Sequence, residues 1–264
     1  MLNQIREVWK YRYFWMSLVK MDLRLRYRGT VLGIGWSLLN PILMTIVFCI
    51  VFSSWHENAD WRSDAPYFLC GLAIFNYFRD AITSGCQNFF RNESYIRQCP
   101  LPIAIYPLRT VLGSSIHFMI SIGVVLMTLV LLLPGSGIER LIYLLPTLPA
   151  FGLLLILAWS MSVLAGFAQV YFQDMQHLAD VLFQVFFFLT PILFKMDLLV
   201  QKGVGWLGYC NPVVWFLDLI RTPLLTGTLP SLEVYAWASG FTAVVLSGAL
   251  IAISYLEKRI IFHL

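Results

Sequence analysis

The sequence predicts an all-α integral membrane protein. It has six transmembrane helices, an N-terminal amphipathic interface helix, and an outer re-entrant hairpin between spans five and six. Three observations carry this. The 264-residue chain is 59% hydrophobic and 12% charged, with a mean hydropathy of +0.76. A soluble domain is about a quarter charged and under half apolar, so no soluble core absorbs this much apolar surface. Uncharged stretches near the roughly 20 residues needed to cross a bilayer recur along the chain. Finally, Lys and Arg are distributed unevenly over the connections. Seven lie in the N-terminal segment, three in 91–109 and two in the C-terminal tail; the alternate connections carry only Arg62, Arg140, Lys195, Lys202 and Arg221. Positive charge gathers on the cytoplasmic side, which places both termini in the cytoplasm. The length suits one transmembrane domain, divided into an interface helix (1–29), a six-span bundle (30–256) and a tail (257–264).

Each element follows from the local pattern. In 3–28, basic residues alternate with Ile5, Val8, Trp9, Trp15, Leu18 and Val19 at helical spacing. That is an amphipathic helix for the membrane interface, or one packed on a partner. Thr30 to Trp55 carries no charge and forms the first span, and the polar residues 56–64 form a loop. The second span lies in Ala65 to Phe90, interrupted by Arg79-Asp80. Residues 91–102 read as a short exposed helix stopped by Pro100 and Pro102. A third span lies within 103–133, closed by the turn Pro134-Gly-Ser-Gly137. A fourth lies within 141–170, before a tight polar corner at 171–177. The fifth apolar run, Val181 to Phe194, crosses only if it recruits residues from about 175 onward. Residues 195–230 hold two half-length apolar pieces broken at Asn211-Pro212, the pattern of a re-entrant hairpin. Irregular backbone at membrane depth requires protein or a water-filled path around it. Val234 to Leu256 is the sixth span.

Several functions are excluded. There is no Gly-Lys dipeptide and hence no phosphate-cradling P-loop, no HExxH and no GxSxG. The four histidines are scattered, and the five cysteines form no CxxC pair and read as buried packing. No metal site, catalytic group or nucleic-acid-binding pattern is expected. The N-terminus is not a secretory signal, its basic region being too long and lacking a cleavage site. Gly203-Val-Gly-Trp-Leu-Gly208 has dinucleotide-fingerprint spacing without the βαβ context that gives it meaning, and reads as the flexible start of the hairpin. Asn92-Glu-Ser94 fits a glycosylation acceptor but falls on the cytoplasmic side. Gly29 and Gly33 have the spacing of a small-residue packing motif and, at the end of a span, read as a turn. Arg79-Asp80 within a span lines a path, pairs subunits, or forms an ion pair between helices. Trp9, Trp15, Trp55 and Trp61 suit interfacial anchoring. Phe48, Phe75, Tyr77, Phe186, Phe187 and Phe188 lie deeper, as packing or as a stacking track for sugar rings.

The stretch Arg26-Tyr-Arg-Gly-Thr-Val-Leu-Gly-Ile-Gly-Trp-Ser-Leu-Leu-Asn-Pro41 resembles the permease subunit of type-2 ABC exporters of polysaccharides, the O-antigen, capsule and teichoic acid export family. Asn92 to Pro102, Asp174 with Thr190-Pro-Ile192, and Asn211-Pro212 with Arg221 agree with it. Two positions depart from the pattern. Gln173 precedes Asp174 where the family commonly has arginine, and Ile103-Ala104 follow the prolines where it often carries charge.

The resemblance implies a homodimer in a bacterial inner membrane, with two ATPase subunits that bind ATP and Mg in place of this chain. The implied cargo is a glycan, often on a polyprenyl pyrophosphate. A type-2 exporter of drugs or simple lipids shares the architecture, and an intramembrane enzyme of glycan assembly and a channel without energy input are the other classes. Residues 91–99 are then the coupling helix, with Asn92, Glu93, Tyr95 and Arg97 as contacts to the ATPase. Arg24, Arg26, Arg28 and Gly33, with the free amides of the following helix start, suit a pyrophosphate or simple anchoring to anionic lipid headgroups. Trp36, Phe48, Phe75, Tyr77, Arg79, Asp80 and Phe187 are the candidates to line the path.

Overall fold

The structure is a computed structural model. It describes residues 8–26, 28–33, 35–53, 61–98, 101–132, 141–194, 196–201, 203–257 and 259–260, without the side chains of Arg26, Phe52, Ser53, Leu141, Asp197 and Leu198. The expected 134–137 turn, residues 54–60, Cys99, Pro100 and the tail beyond Ile260 lie outside these.

Helices account for the chain, with no strand among the described residues. α1 (Arg12–Arg26) precedes α2 (Gly35–Ser53) and α3 (Trp61–Cys86). A 3-10 turn (Phe90–Asn92) leads into the short α4 (Glu93–Gln98), followed by α5 (Ile105–Leu132) and α6 (Leu144–Tyr171). α7 (Met175–Leu189) precedes a broken stretch of α8 (Met196–Gln201), α9 (Trp206–Tyr209) and α10 (Pro212–Arg221), and α11 (Leu232–Leu256) closes the fold. α5, α6 and α11 are each long and apolar enough to cross a membrane. This is an integral, multi-pass membrane protein.

Several boundaries differ from the expected ones for local reasons. Trp61 to Asp64 are helical and not loop, with Asp64 in the first turn of α3; an acid there is favoured by the partial positive charge of a helix start. α7 does begin at Met175. Its 15 residues span only about 22 Å, short of the roughly 30 Å hydrocarbon core. Asn211 caps α10, its side chain accepting from the Val213 N–H, with Pro212 at the first helical position. Proline there forfeits nothing, because that N–H has no helical partner. The break read from Asn211-Pro212 is thus a helix start. Gly29 and Gly33 have φ of +80° and +53°, so this glycine pair does make a turn.

α3 sits at the centre, packed against α2, α5, α6, α7 and α10. Leu69, Ile74, Phe78, Leu154, Leu157, Phe216 and Leu217 fill the core around it. A second core of Phe89, Ile96, Tyr106, Phe167 and Ile253 lies under the Phe90–Gln98 segment. Leu18 and Val19 bury one edge of α1 on α5, while Tyr13, Met21 and Leu25 stay exposed. Cys70 and Cys86 are buried as expected; Cys210 is exposed and is a correction, because it follows the exposed end of α9.

Two ends of the bundle can be distinguished. At the near end, Gln87 donates to Gln176 and the Ile103 N–H to Glu257, gathering the 87–98 turn, the 172–174 corner and the end of α11. At the far end, Tyr67 reaches the carbonyl of Phe194 and Tyr235 that of Pro146.

Candidate functional site

The near end holds a continuous polar network between elements far apart in sequence. Arg109, on the first turns of α5, donates from Nε and Nη2 to the two carboxylate oxygens of Asp22 on α1, at 2.5 Å each. Its Nη1 donates to Asn92 Oδ1 at 2.6 Å. Asn92 Nδ2 donates to the Asn88 carbonyl. Asn88 accepts from Thr110 and donates to Ser162 Oγ at 2.8 Å on α6. A fork-on-fork arginine–carboxylate pair fixes orientation as well as distance. The network therefore sets the position of α1 and of the turn before α4 relative to α5 and α6.

A cavity of about 370 Å³ opens beside this network, lined by Asp22, Ser84, Asn88, Arg91, Arg109 and His117 among others. His117 Nδ1 lies 2.8 Å from Ser37 Oγ, tying α2 to the same place. Arg24 and Arg28 are exposed and neither lines the cavity; Arg26 lies in α1. The amides at the start of α2 are not free as expected. Gly35 N–H donates to the Leu32 carbonyl at 2.8 Å and Trp36 N–H to that of Gly33 at 3.4 Å. The glycine turn folds the chain back on itself and uses them.

α4 presents a different surface. Glu93 and Arg97 form an exposed ion pair of 2.7 Å across one helical turn. Such pairs are worth a few tenths of a kcal/mol, so these charges are not there to hold the fold. Tyr95 is exposed and meets Phe14 of α1 edge-on, with centroids 6.1 Å apart. Asn92 departs from its expected place on this surface: it is only 4% exposed, turned inward by Arg109.

The path candidates divide by burial. Trp36 is half exposed, and Phe48 and Phe187 are partly buried with their rings 6.4 Å apart. Phe75 and Tyr77 are core residues, which corrects their expected place on a path. Phe75 packs on Phe183 and Phe187; Tyr77 stacks on Phe118 and bonds Ser115 at 2.7 Å. Arg79 is exposed and pairs at 3.5 Å with Asp180 of α7, and Asp80 is partly buried.

The far end has its own lock. Arg221, at the end of α10, lies 3.8 Å from the centroid of the Tyr67 ring. It donates to the carbonyls of Pro191, Ile192 and Tyr67 at 2.7, 3.1 and 3.1 Å. Asn211 Nδ2 adds a bond of 2.8 Å to Thr190. The carbonyls of Pro191 and Ile192, just beyond the end of α7, are thus capped by the end of α10. Gly71 faces the guanidinium so closely that a Cβ would collide with it.

Sequence reasoning missed Asp22 and Arg109. The available signals were an acid within a strongly basic helix and a lone arginine after the proline pair; read as charge count alone, neither suggests a pair.

These features define a polytopic, all-helical membrane protein with a short exposed helix at one end. The sequence matches the model of the ABC-2 type transporter family over residues 13–225, and the chain belongs to that family. It is similar to the O-antigen export system permease protein RfbA of Myxococcus xanthus, at 25% identity over 236 residues covering 88% of each chain. It is also similar to the O-antigen export system permease protein RfbA of Klebsiella pneumoniae, at 23% identity over 217 residues and 80% of each.

Proposed function

We propose that this chain is the membrane-spanning subunit of an ATP-driven exporter. Its cargo is a polysaccharide such as O-antigen, carried on a polyprenyl pyrophosphate from the cytoplasm across the bacterial inner membrane. One observation carries the reading: the similarity to an O-antigen export permease runs over 88% of both chains. Two copies form the path, and two separate ATPase subunits bind ATP and Mg. The six spans are α2, α3, α5, α6, α7 extended by the chain to Phe194, and α11. α1 lies in the membrane interface, both termini are cytoplasmic, and α8 to α10 dip into the outer side as a re-entrant hairpin.

α4 is the coupling helix, inserted into a groove of the ATPase. Glu93, Tyr95 and Arg97 are its contacts, and buried Asn92 sets its angle. The Asp22–Arg109–Asn92 network gives a push on α4 a rigid route to α1 and α5. Arg24, Arg26 and Arg28, near the Gly33 turn, either grip the pyrophosphate or anchor α1 to anionic lipid. Replacing Arg26 and Arg28 by lysine preserves charge and removes the fork, so full export in that variant assigns them to anchoring. Trp36, Phe48, Arg79, Asp80 and Phe187 are the remaining candidates along the path.

The decisive experiment deletes the gene and follows lipid-linked glycan, with affinity purification of the tagged chain in parallel. The reading expects intracellular build-up of the lipid-linked glycan and co-purification of an ATP-hydrolysing partner. Normal glycan export in the deletion strain overturns it.

A further inference from the structure

The faces of α3 and α7 that meet carry a seam of polar side chains with no place against lipid. On α7, Gln176, Asp180 and Gln184 recur every four residues and so share one helical face. On α3, Asn76, Arg79, Asp80 and Thr83 fall on one face by the same spacing. The two rows meet through the Gln87–Gln176 bond and the Arg79–Asp180 pair. They are not buried between the helices. Asn76, Arg79 and Gln184 are exposed, and the side chains of Arg79 and Asp180 are 44% and 37% accessible.

Depth decides the matter. Gln184 lies nine residues into α7, about 13 Å from its near end, and Asn76 lies about 15 Å from the near end of α3. Both are close to the middle of a hydrocarbon layer roughly 30 Å thick. A long arginine reaches back toward the headgroups, but an asparagine or glutamine amide at that depth does not. Apart from His177 in its first turn, the rest of the exposed surface of α7 is apolar, with Leu178, Val181, Leu182, Val185 and Phe188. Lipid accounts for that surface and not for the seam.

We infer that the α3–α7 seam, with Asn76, Arg79, Asp180 and Gln184, is the wall of a water-filled conduit for a hydroxyl-rich chain. This rests on the exporter reading above and adds to it the residues that touch the moving sugars. Amide and carboxylate groups exchange hydrogen bonds with water and with successive hydroxyls at little net change, which lets a polar chain slide without being held. Arg79 and Asp180 offset each other's charge across the seam.

The test uses the assembled transporter in membranes, with Asn76→Cys and Gln184→Cys made singly. A third variant, Val244→Cys, reports an exposed apolar position on α11. A permanently charged, water-soluble methanethiosulfonate reacts with thiolates, which form only in water. The parent chain with its five native cysteines sets the background. The seam cysteines are expected to react at least about tenfold faster than Val244→Cys, given the cost of placing charge in lipid. Added lipid-linked glycan should slow them. Reaction as slow as at Val244 overturns the conduit, and so does near-complete disulfide formation between copies at Asn76→Cys, which makes the seam a subunit contact. Export of glycan by the parent is scored separately: its absence sinks the exporter reading, whereas slow labelling in an exporting protein sinks only the conduit. As a second measure, Asn76→Leu with Gln184→Leu should lose most export with assembly intact; unchanged export overturns the proposal.

Discussion

Asp22 and Arg109 illustrate what one pair does here. Arg109 is 9% exposed, and the Asp22 carboxylate is its only anionic partner among the described residues. Removing one member of such a pair strands the other, and the cost exceeds the worth of the bond itself. Asp22→Ala should destabilise the detergent-solubilised protein by about 1.5–3 kcal/mol, the scale of hydrogen bonds to charged groups. Thermal unfolding checks this. Asp22→Ala and Arg109→Ala should be strongly non-additive, with a coupling of about 1 kcal/mol or more in a double-mutant cycle; simple additivity would mean that the two side chains do not act together. Arg221 makes the same point at the far end. Arg221→Lys keeps the charge but cannot reach three carbonyls and stack on Tyr67 at once. Amide exchange in 205–226 should rise by about tenfold, a loss of roughly 1.4 kcal/mol of local stability.

At the scale of elements, α4 is the most informative. Its inner side, Ile96, is held in the near-end core, and its outer side carries Glu93, Tyr95 and Arg97. Exchanging the signs, Glu93→Arg with Arg97→Glu, preserves the intrahelical pair and the fold. The expected outcome is normal abundance with export lost and ATP hydrolysis no longer coupled to it; unaltered export would remove α4 from the coupling role. Such a helix was legible from its polar run and the two prolines, because both signals are local. That Asn92 faces inward was not legible, since the partner that turns it, Arg109, comes 17 positions later. Phe75 and Tyr77 mislead for a related reason. An aromatic at span depth suits core, lipid or path equally, and only the packing of Phe183, Phe187 and Phe118 against them decides.

In the whole molecule, the near-end network and the far-end lock clamp opposite ends of α3, the central helix. α3 begins beside Arg221 through Tyr67 and ends at Gln87 and Asn88, within the polar network. On the proposal that α4 couples to an ATPase, its displacement is expected to pass to α3, and from α3 to the α8–α10 stretch. Linkage requires the reverse effect as well. A cross-link that fixes α10 to α7, made by replacing Asn211 and Thr190 with cysteine, should lower ATP-stimulated export to near zero while leaving partner binding intact. Full export by the oxidised form would show that the far end need not move.

Composition and the recurrence of uncharged runs determined the membrane class and the long apolar helices. They also indicated the short fifth apolar helix and the broken stretch at Asn211-Pro212. These are decided by transfer of local segments out of water and by backbone chemistry, both of which act within a helix length. The tertiary structure alone decided the Asp22–Arg109–Asn92 network, the Arg221 cap and the polar seam between α3 and α7. Each joins residues far apart in the chain, 87 positions for Asp22 with Arg109 and 154 for Tyr67 with Arg221. A charge or amide carries no mark of its partner in its own neighbourhood. What makes it pair is the expense of leaving it alone in an apolar surrounding, and that surrounding exists only once the helices have packed.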